Sequence, residues 1–370
     1  MDKEIEKLFK DVKVVDNDEA KKIYFITTGN IGEYMEHSED EKLSNDALIS
    51  RALLNYNLVD DEPKVEKKIM LLNNVFISLN DVPLDYEKYP FDLYIVSKHR
   101  LIEFYISLKD ENNIEEETAN LIEFYEEHKD NITGILRAYY CNTLMQYADF
   151  NYQQNDIKTM FNTLHYALNT IENQNDVDSL CVKSRIYYNL ATLYDQMHDT
   201  ENAITCLNNT IYILNTLDDD DECKQYYVPS AMYELSRIYY DNKKYEDSLK
   251  SIIDCMNTCK KFGLETTLPL YGKAFCQYHK FSNNEQVRDN IIDVGTELAE
   301  FLEKYPKEKP LIADTKNNVY TILALTYLNK KDKEKSNYYF DKIIDNAQYL
   351  SDKTKTESII KQANDFKNKQ

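Results

Sequence analysis

Cys255 and Cys259, four residues apart, are the one cysteine pair spaced to share a helix face. Two thiolates there would be half of a tetrahedral metal site. No Cys or His pair stands near enough in sequence to supply the other half, so the reading is a pair of core thiols. The six histidines (His37, His99, His128, His165, His198, His279) are scattered, with no His-Glu-x-x-His pair. The six glycines (Gly29, Gly32, Gly134, Gly263, Gly272, Gly295) never form a phosphate-cradling loop, and Gly29 and Gly32 lack the strand context of one. The acidic run from Asp218 to Glu222 lacks the alternating ligands and glycine turn of a calcium loop, and reads as a solvated loop between helices. Clustered nucleophiles, bases and metal ligands are what catalysis would leave behind. The expectation is a protein that is not an enzyme, with no metal and no cofactor.

The elements that carry these side chains recur. Five times, a helix closing on a tyrosine is followed by a short polar break and a second amphipathic helix. The clearest copy runs from Ser184 to Ile213: Tyr187, Leu190, Ala191 and Tyr194 form one stripe, and Ala203, Leu207 and Thr210 the other, both at helical period. The same frame lies over Met232, Leu235, Ser236, Tyr239, Ser248, Ile252 and Cys255, and over Tyr320, Leu323, Ala324, Tyr327, Ser336, Phe340 and Ile343. In all three copies the small residue of the second helix follows the closing tyrosine by nine (194 to 203, 239 to 248, 327 to 336). Weaker copies centre on Tyr147 and Tyr278, so the tyrosines stand 47, 45, 39 and 49 apart (147 to 194, 194 to 239, 239 to 278, 278 to 327). With only 6 Gly and 7 Pro, and no alternating β-branched runs beyond the short Val75 to Ile77 stretch, the chain reads as all-α, with long helices and short polar breaks.

A net charge of −21, with no Lys/Arg cluster denser than Lys67-Lys68 or Lys330-Lys331 standing clear of acids, argues against nucleic acid as a direct partner, because nucleic-acid binding needs a basic footprint. A peptide, or a protein with a basic surface, suits the charge better. There is no signal-type apolar core at the N-terminus and no run of 18 apolar residues, so no membrane partner is expected. Seven cysteines, an odd number mostly at core phases, point to reduced thiols and a cytoplasmic protein. Residues 1 to 86 do not show the repeat frame. Helices are expected there at 3–14, 18–36, 44–56 and 65–79, with a break at 60–63, and Val82-Pro83 and Tyr89-Pro90 mark a connector. Beyond it, Leu-Ile-Glu-Phe-Tyr occurs at 101–105 and 121–125; a degenerate repeat pair and two helices drawing on one residue pool are both open, the second favoured. Residues 353–367 have the one-sided profile of a capping helix, with Ile359, Ile360, Ala363 and Phe366 together.

The order aromatic, Leu, small, Tyr, then small, large apolar, small resembles the tetratricopeptide repeat over roughly residues 131 to 347. The repeats are longer than the usual ~34 residues, so helices or connectors are longer. The resemblance implies a right-handed superhelical solenoid of degenerate tetratricopeptide-like helical hairpins (87–370) behind an N-terminal helical segment (1–86). Ala191, Ser236, Ala324, Ala203, Ser248 and Ser336 would sit where the two helices of a hairpin approach. It also implies a groove: the first helix of each hairpin lines the concave face, at positions nine, six and two before the closing tyrosine and one or two after. These are Arg185, Tyr188, Thr192, Asp195 and Gln196; Tyr233, Arg237, Tyr240 and Asp241; and Asn318 and Asn329. The weaker copies add Lys273, His279 and Lys280, and Asn142 and Asn189, five before, flank the face.

Arginines there can pair a carboxylate bidentately and carboxamides can bond a peptide backbone, with tyrosines supplying apolar contact. The long repeats behind a separate helical segment, in an Asn-, Lys-, Ile- and Tyr-rich chain, resemble the bacterial and phage peptide-pheromone receptors of the Rap and Rgg type. That resemblance implies a quorum-sensing regulator that binds a short peptide in its concave groove and modulates a protein target. A scaffold holding a protein partner without a peptide ligand is the alternative, and a homodimer is among the assemblies open to it. Two features depart from that family. Residues 1–30 hold six Lys against seven Asp/Glu and show no basic recognition helix, and the first glutamine, at a residue type the Rap phosphatases use in their N-terminal bundle, is Gln146.

Overall fold

The computed structural model describes residues 44–368. The helices expected at 3–14 and 18–36 lie outside them. Among the described residues are fifteen α-helices and no strand: α1 Asn45–Asp61, α2 Val65–Asn80, α3 Phe91–Leu108, α4 Glu111–His128, α5 Ile135–Gln153, α6 Ile157–Ile171, α7 Val177–Gln196, α8 Thr200–Leu214, α9 Glu222–Asp241, α10 Tyr245–Phe262, α11 Leu268–His279, α12 Glu285–Leu302, α13 Pro310–Asn329, α14 Lys333–Asn346 and α15 Thr356–Asn368. The chain is an all-α array of helical hairpins. The Val75 to Ile77 run lies inside α2, and the capping helix begins three residues later than expected, after a short 3-10 turn at Lys353–Lys355.

One local device makes five of the hairpins. Lys109, Asn155, His198, Lys243 and Lys331 all have a left-handed backbone, with φ between 57 and 65°. The residue after each one donates its N–H to the carbonyl five back, as in Asp199 to Tyr194 at 2.8 Å and Asp332 to Tyr327 at 3.0 Å. The left-handed residue's own N–H donates to the carbonyl three back, as in His198 to Asp195 at 3.0 Å, so two of the carbonyls a helix end orphans are satisfied. In four of the five that same residue is an aspartate (Asp110, Asp156, Asp199, Asp332) whose carboxylate accepts the N–H three residues on, capping the next helix. The closing residue is therefore fixed at four before the left-handed position. The offset of nine then places the small residue on the first turn that faces back.

This device corrects the weakest copy. The turn after α5 sits at Asn155, with Asp156 bonding back to Asn151, so the closing position is Asn151 and not Tyr147. The frame is shifted by one helical turn, and Ala148 with Met160, both buried, take the paired positions. The same turn at Lys109 makes Tyr105 the closing residue of an earlier hairpin, α3–α4. Leu-Ile-Glu-Phe-Tyr at 101–105 thus lies in the repeat frame on a first helix, whereas 121–125 lies on the second helix of that same hairpin. The two copies therefore stand on non-equivalent helices of one hairpin and are not a pair of repeats.

The close approaches fall where small residues were expected. Ser236 and Ser248, both fully buried, exchange hydrogen bonds: each hydroxyl donates to the other's carbonyl, at 2.9 and 2.6 Å. Ser336 Oγ donates to the Ala324 carbonyl at 3.0 Å. Ala191 and Ala203, with the same separation of twelve, are buried at 2% and 0% exposure. Buried hydroxyls satisfied across the hairpin remove the desolvation penalty that two packed helices would otherwise carry.

The described residues fall into two compact units, one ending at Val182 and the other beginning at Lys183. In the first, Tyr125 stacks on Tyr140 at 3.9 Å and Tyr94 on Phe124 at 3.7 Å. In the second, a continuous core runs from Ile252 on α10 to Ala363 on α15. There α15 is held by Ala363, by Phe366 stacked on Phe340 at 5.6 Å and by an ion pair from Lys367 to Asp341.

Candidate binding groove

Four first helices of the second unit, α7, α9, α11 and α13, carry the inward frame of the repeats, and two cavities are built from it. The first, of about 220 Å³, is lined by Tyr188, Tyr226, Ser230, Tyr233, Glu234, Thr266, Thr267, Pro269, Leu270 and Lys273. Tyr188, Tyr233 and Lys273, expected at the groove from sequence, are brought together here from three successive first helices. Its polar character has local causes. Pro229, inside α9, has no N–H to continue the helix ladder, and the next residue, Ser230, donates its hydroxyl to the Tyr226 carbonyl at 2.7 Å. Burial, then the Glu234 carboxylate, push the phenols of Tyr188 and Tyr233 above their ordinary range, so both remain hydrogen-bond donors.

The cations behave differently from one another. Arg237 already faces three carboxylates: Asp195 at 2.5 Å, Glu234 at 2.8 Å and Asp241 at 3.4 Å. Its charge ties α7 to α9. Arg185 lies against Tyr227 and opposes the rise that burial imposes on that phenol. Lys273 is exposed and forms no ion pair with any described residue, so it is the cation of this cavity with charge to offer.

The other expected positions scatter. Tyr240 sits at a hairpin tip among Tyr245 and Phe281, both at 5.5 Å, with Lys280 above its ring at 5.3 Å. Thr192 is exposed and bonds the Tyr188 carbonyl at 3.3 Å; Gln196 is exposed, and Asn189 half-buried, on the same helix. Asn318 lines the second cavity, of about 340 Å³, with Cys276, Asn317, Thr321, Ile322, Leu325, Phe340, Ile343, Ile359, Gln362, Ala363 and Phe366.

Glu234, Tyr226, Asn317 and the Thr266-Thr267 pair also line these cavities and were not among the positions expected from the repeat frame. A signal existed for the first: Glu234 stands five before Tyr239, as Asn189 does before Tyr194, Lys273 before Tyr278 and Ile322 before Tyr327. The threonines belong to the connector into α11, off the repeat frame, and left none. The acidic run is a loop as expected, but not a free one: Asp219 pairs with Lys224 at 3.0 Å and Lys261 at 2.6 Å, and Asp221 caps α9. Cys255 and Cys259 are core thiols, at 0% and 1% exposure, with Cys255 Sγ donating to the Pro229 carbonyl at 3.2 Å.

The family model for the tetratricopeptide repeat matches residues 184–213. No curated protein matches the sequence. Among solved structures, the apo form of RapI is similar at 13% identity and a TM-score of 0.54, over 84% of this chain and 79% of that one. The C-terminal part of a tetratricopeptide repeat-containing protein from Cytophaga hutchinsonii is similar at 12% identity and 0.52, over 84% of this chain and 99% of that one. One hairpin of the chain thus matches the tetratricopeptide family model, and the helical-repeat fold of the described residues is similar to that of these solved structures. No helix among the described residues is long and apolar enough to cross a membrane.

Proposed function

We propose that the chain is a non-enzymatic, peptide-responsive regulatory protein. It holds a short peptide in the groove of its second unit and, in doing so, modulates a protein target. The observation that carries this reading is the cavity where Tyr188, Tyr233 and Lys273 meet, one residue from each of three consecutive first helices. Rigid aromatic anchors beside an unpaired cation are the composition of a binding hot spot. The backbone carbonyls and N–H groups of an extended peptide would find Ser230, Thr266 and the tyrosine hydroxyls within the same cavity. The likeness of the fold to RapI supports the choice of a peptide over a folded partner. The N-terminal region, residues 1–86, is the part of the chain we assign to the protein target.

Capture from an extract of the native host, with mass spectrometry of both the short-peptide and the protein fractions, tests this. A peptide retained by the parent chain and lost from a Tyr188→Ala/Lys273→Ala chain supports the sensor. A protein partner retained with no peptide in the fraction would replace the sensor with a scaffold.

A further inference from the structure

A third cavity, of about 290 Å³, lies in the first unit, where α2 and α4 each pack on α3. Phe76 from α2, Tyr94 from α3 and Phe124 from α4 make its aromatic wall: Phe76 meets Tyr94 edge-on at 5.3 Å, and Tyr94 stacks on Phe124 at 3.7 Å. The cation of this cavity is already satisfied. Lys98, only 6% exposed, is paired with Glu117 and lies over the Phe76 ring at 4.2 Å, a contact that shows the charge these rings favour.

The other polar groups have bonding capacity left. Glu123 and Glu127 line the cavity and are exposed; Glu123 forms no ion pair with any described residue, and Glu127 reaches only the His128 imidazole, at 3.9 Å. The Tyr94 hydroxyl and the carboxamides of Asn80 and Asn120, also on the lining, bond to no described residue. Burial, then Tyr89 and the carboxylates of Glu117 and Glu123, push the Tyr94 phenol above its ordinary range, so it remains a donor. Helix α4 carries the negative charge beyond the cavity: it holds neither Lys nor Arg, and Glu116, Asn120, Glu123 and Glu127, spaced 4, 3 and 4, share one face. An acidic chain has solvated carboxylates in many places. Here unpaired carboxylates coincide with three rings, an unbonded phenol and two unbonded carboxamides.

We infer that this cleft docks a basic segment of a protein partner, with an arginine side chain laid against the Tyr94–Phe124 rings and its guanidinium shared between Glu123 and Glu127. The choice of occupant follows from charge complementarity. A planar guanidinium stacks on aromatic rings and carries five donors, enough to bridge two carboxylates one helical turn apart. The Tyr94 hydroxyl and the two carboxamides then serve the partner's backbone. This rests on the reading that the chain modulates a protein target, and gives that target its chemistry: Phe76 and Asn80 belong to residues 1–86, and the surface extends from them onto α3 and α4.

A fluorescein-labelled peptide of alternating arginine and glycine is titrated with the full chain near ~0.15 M salt and followed by anisotropy, beside its citrulline counterpart, which keeps the shape and loses the charge. The expected result is saturable binding of the arginine peptide and none of the citrulline one. Glu123→Gln/Glu127→Gln should weaken the binding about fivefold or more. Asp218→Asn/Asp220→Asn removes the same charge from the exposed loop before α9 and should leave it unchanged. All four positions are exposed, and melting temperature shows that both variants are folded. Absence of saturable binding, equal binding of the citrulline peptide, or an equal loss in the loop variant overturns the docking cleft. None of these outcomes touches the protein target itself, which is read by host capture, so the two ideas fail separately.

Discussion

At the scale of single residues, the groove separates side chains that hold the protein together from those with capacity left to bind. Arg237 illustrates the first kind. Its position in the repeat frame marks it, with Arg185, as a place to hold a peptide carboxylate, but Asp195, Glu234 and Asp241 already surround it. Sequence carries the position and not the neighbours: Asp195 lies 42 residues away on another hairpin. We therefore expect Arg237→Ala to lower the melting temperature by leaving partly buried carboxylate charge uncompensated, whereas Lys273→Ala leaves it unchanged. Thermal unfolding of the two variants checks this, and equal midpoints would mean that the Asp195 contact contributes nothing. Ala191→Leu tests the hairpin itself. With Ala191 and Ala203 buried at 2% and 0%, leucine's isobutyl side chain has no space, and the expected loss is about 1–3 kcal/mol in urea unfolding.

The unit of construction at the scale of elements is the turn. A left-handed residue recurs at five hairpins, four of them with the aspartate cap, and this shared turn is why one offset of nine runs through three copies of the repeat. Periodicity misplaces the frame around Tyr147 because that residue offers an aromatic at the wrong turn, while the true closing residue, Asn151, looks polar. The informative signal is the Asn-Asp pair at 155–156, which has turn chemistry and no apolar content. A side chain with φ near +60° is strained by its Cβ, so Lys243→Gly should raise stability by up to about 1 kcal/mol, read as a higher urea midpoint with unchanged slope. The approach to α15 has its own pH dependence. Asp352 accepts from Thr354, the larger cause, and from Lys355, and its carboxyl is held down at about 2. A depressed carboxylate contributes above its ordinary pKa near ~3.9 and loses that contribution as pH falls toward about 2. Asp352→Asn should therefore loosen the 351–356 segment at pH 6, seen as faster amide exchange there, and make no difference below about pH 2.

For the whole molecule, charge and fold narrow the partners. A chain of net charge −21 repels phosphate backbones, and no retarded duplex should appear in a gel shift near ~0.15 M salt; a stable retarded band would reveal a basic surface hidden from the linear sequence. The all-α hairpin array is legible in periodicity and sparse punctuation, and the four inward rows of the groove in the closing tyrosines. Which of those side chains remain available is not legible there, because that depends on charges brought in from other hairpins and on connectors such as Thr266-Thr267 that follow no period. The central claim is that the Tyr188–Tyr233–Lys273 cavity holds the partner. Its most direct measurement is the affinity of the host-captured ligand, by calorimetry, for the parent chain and for Tyr188→Ala/Lys273→Ala at equal helicity. The expected loss is about 10- to 100-fold, the cost of removing an aromatic anchor and a charge paired with the ligand. An unchanged affinity would place the binding site elsewhere.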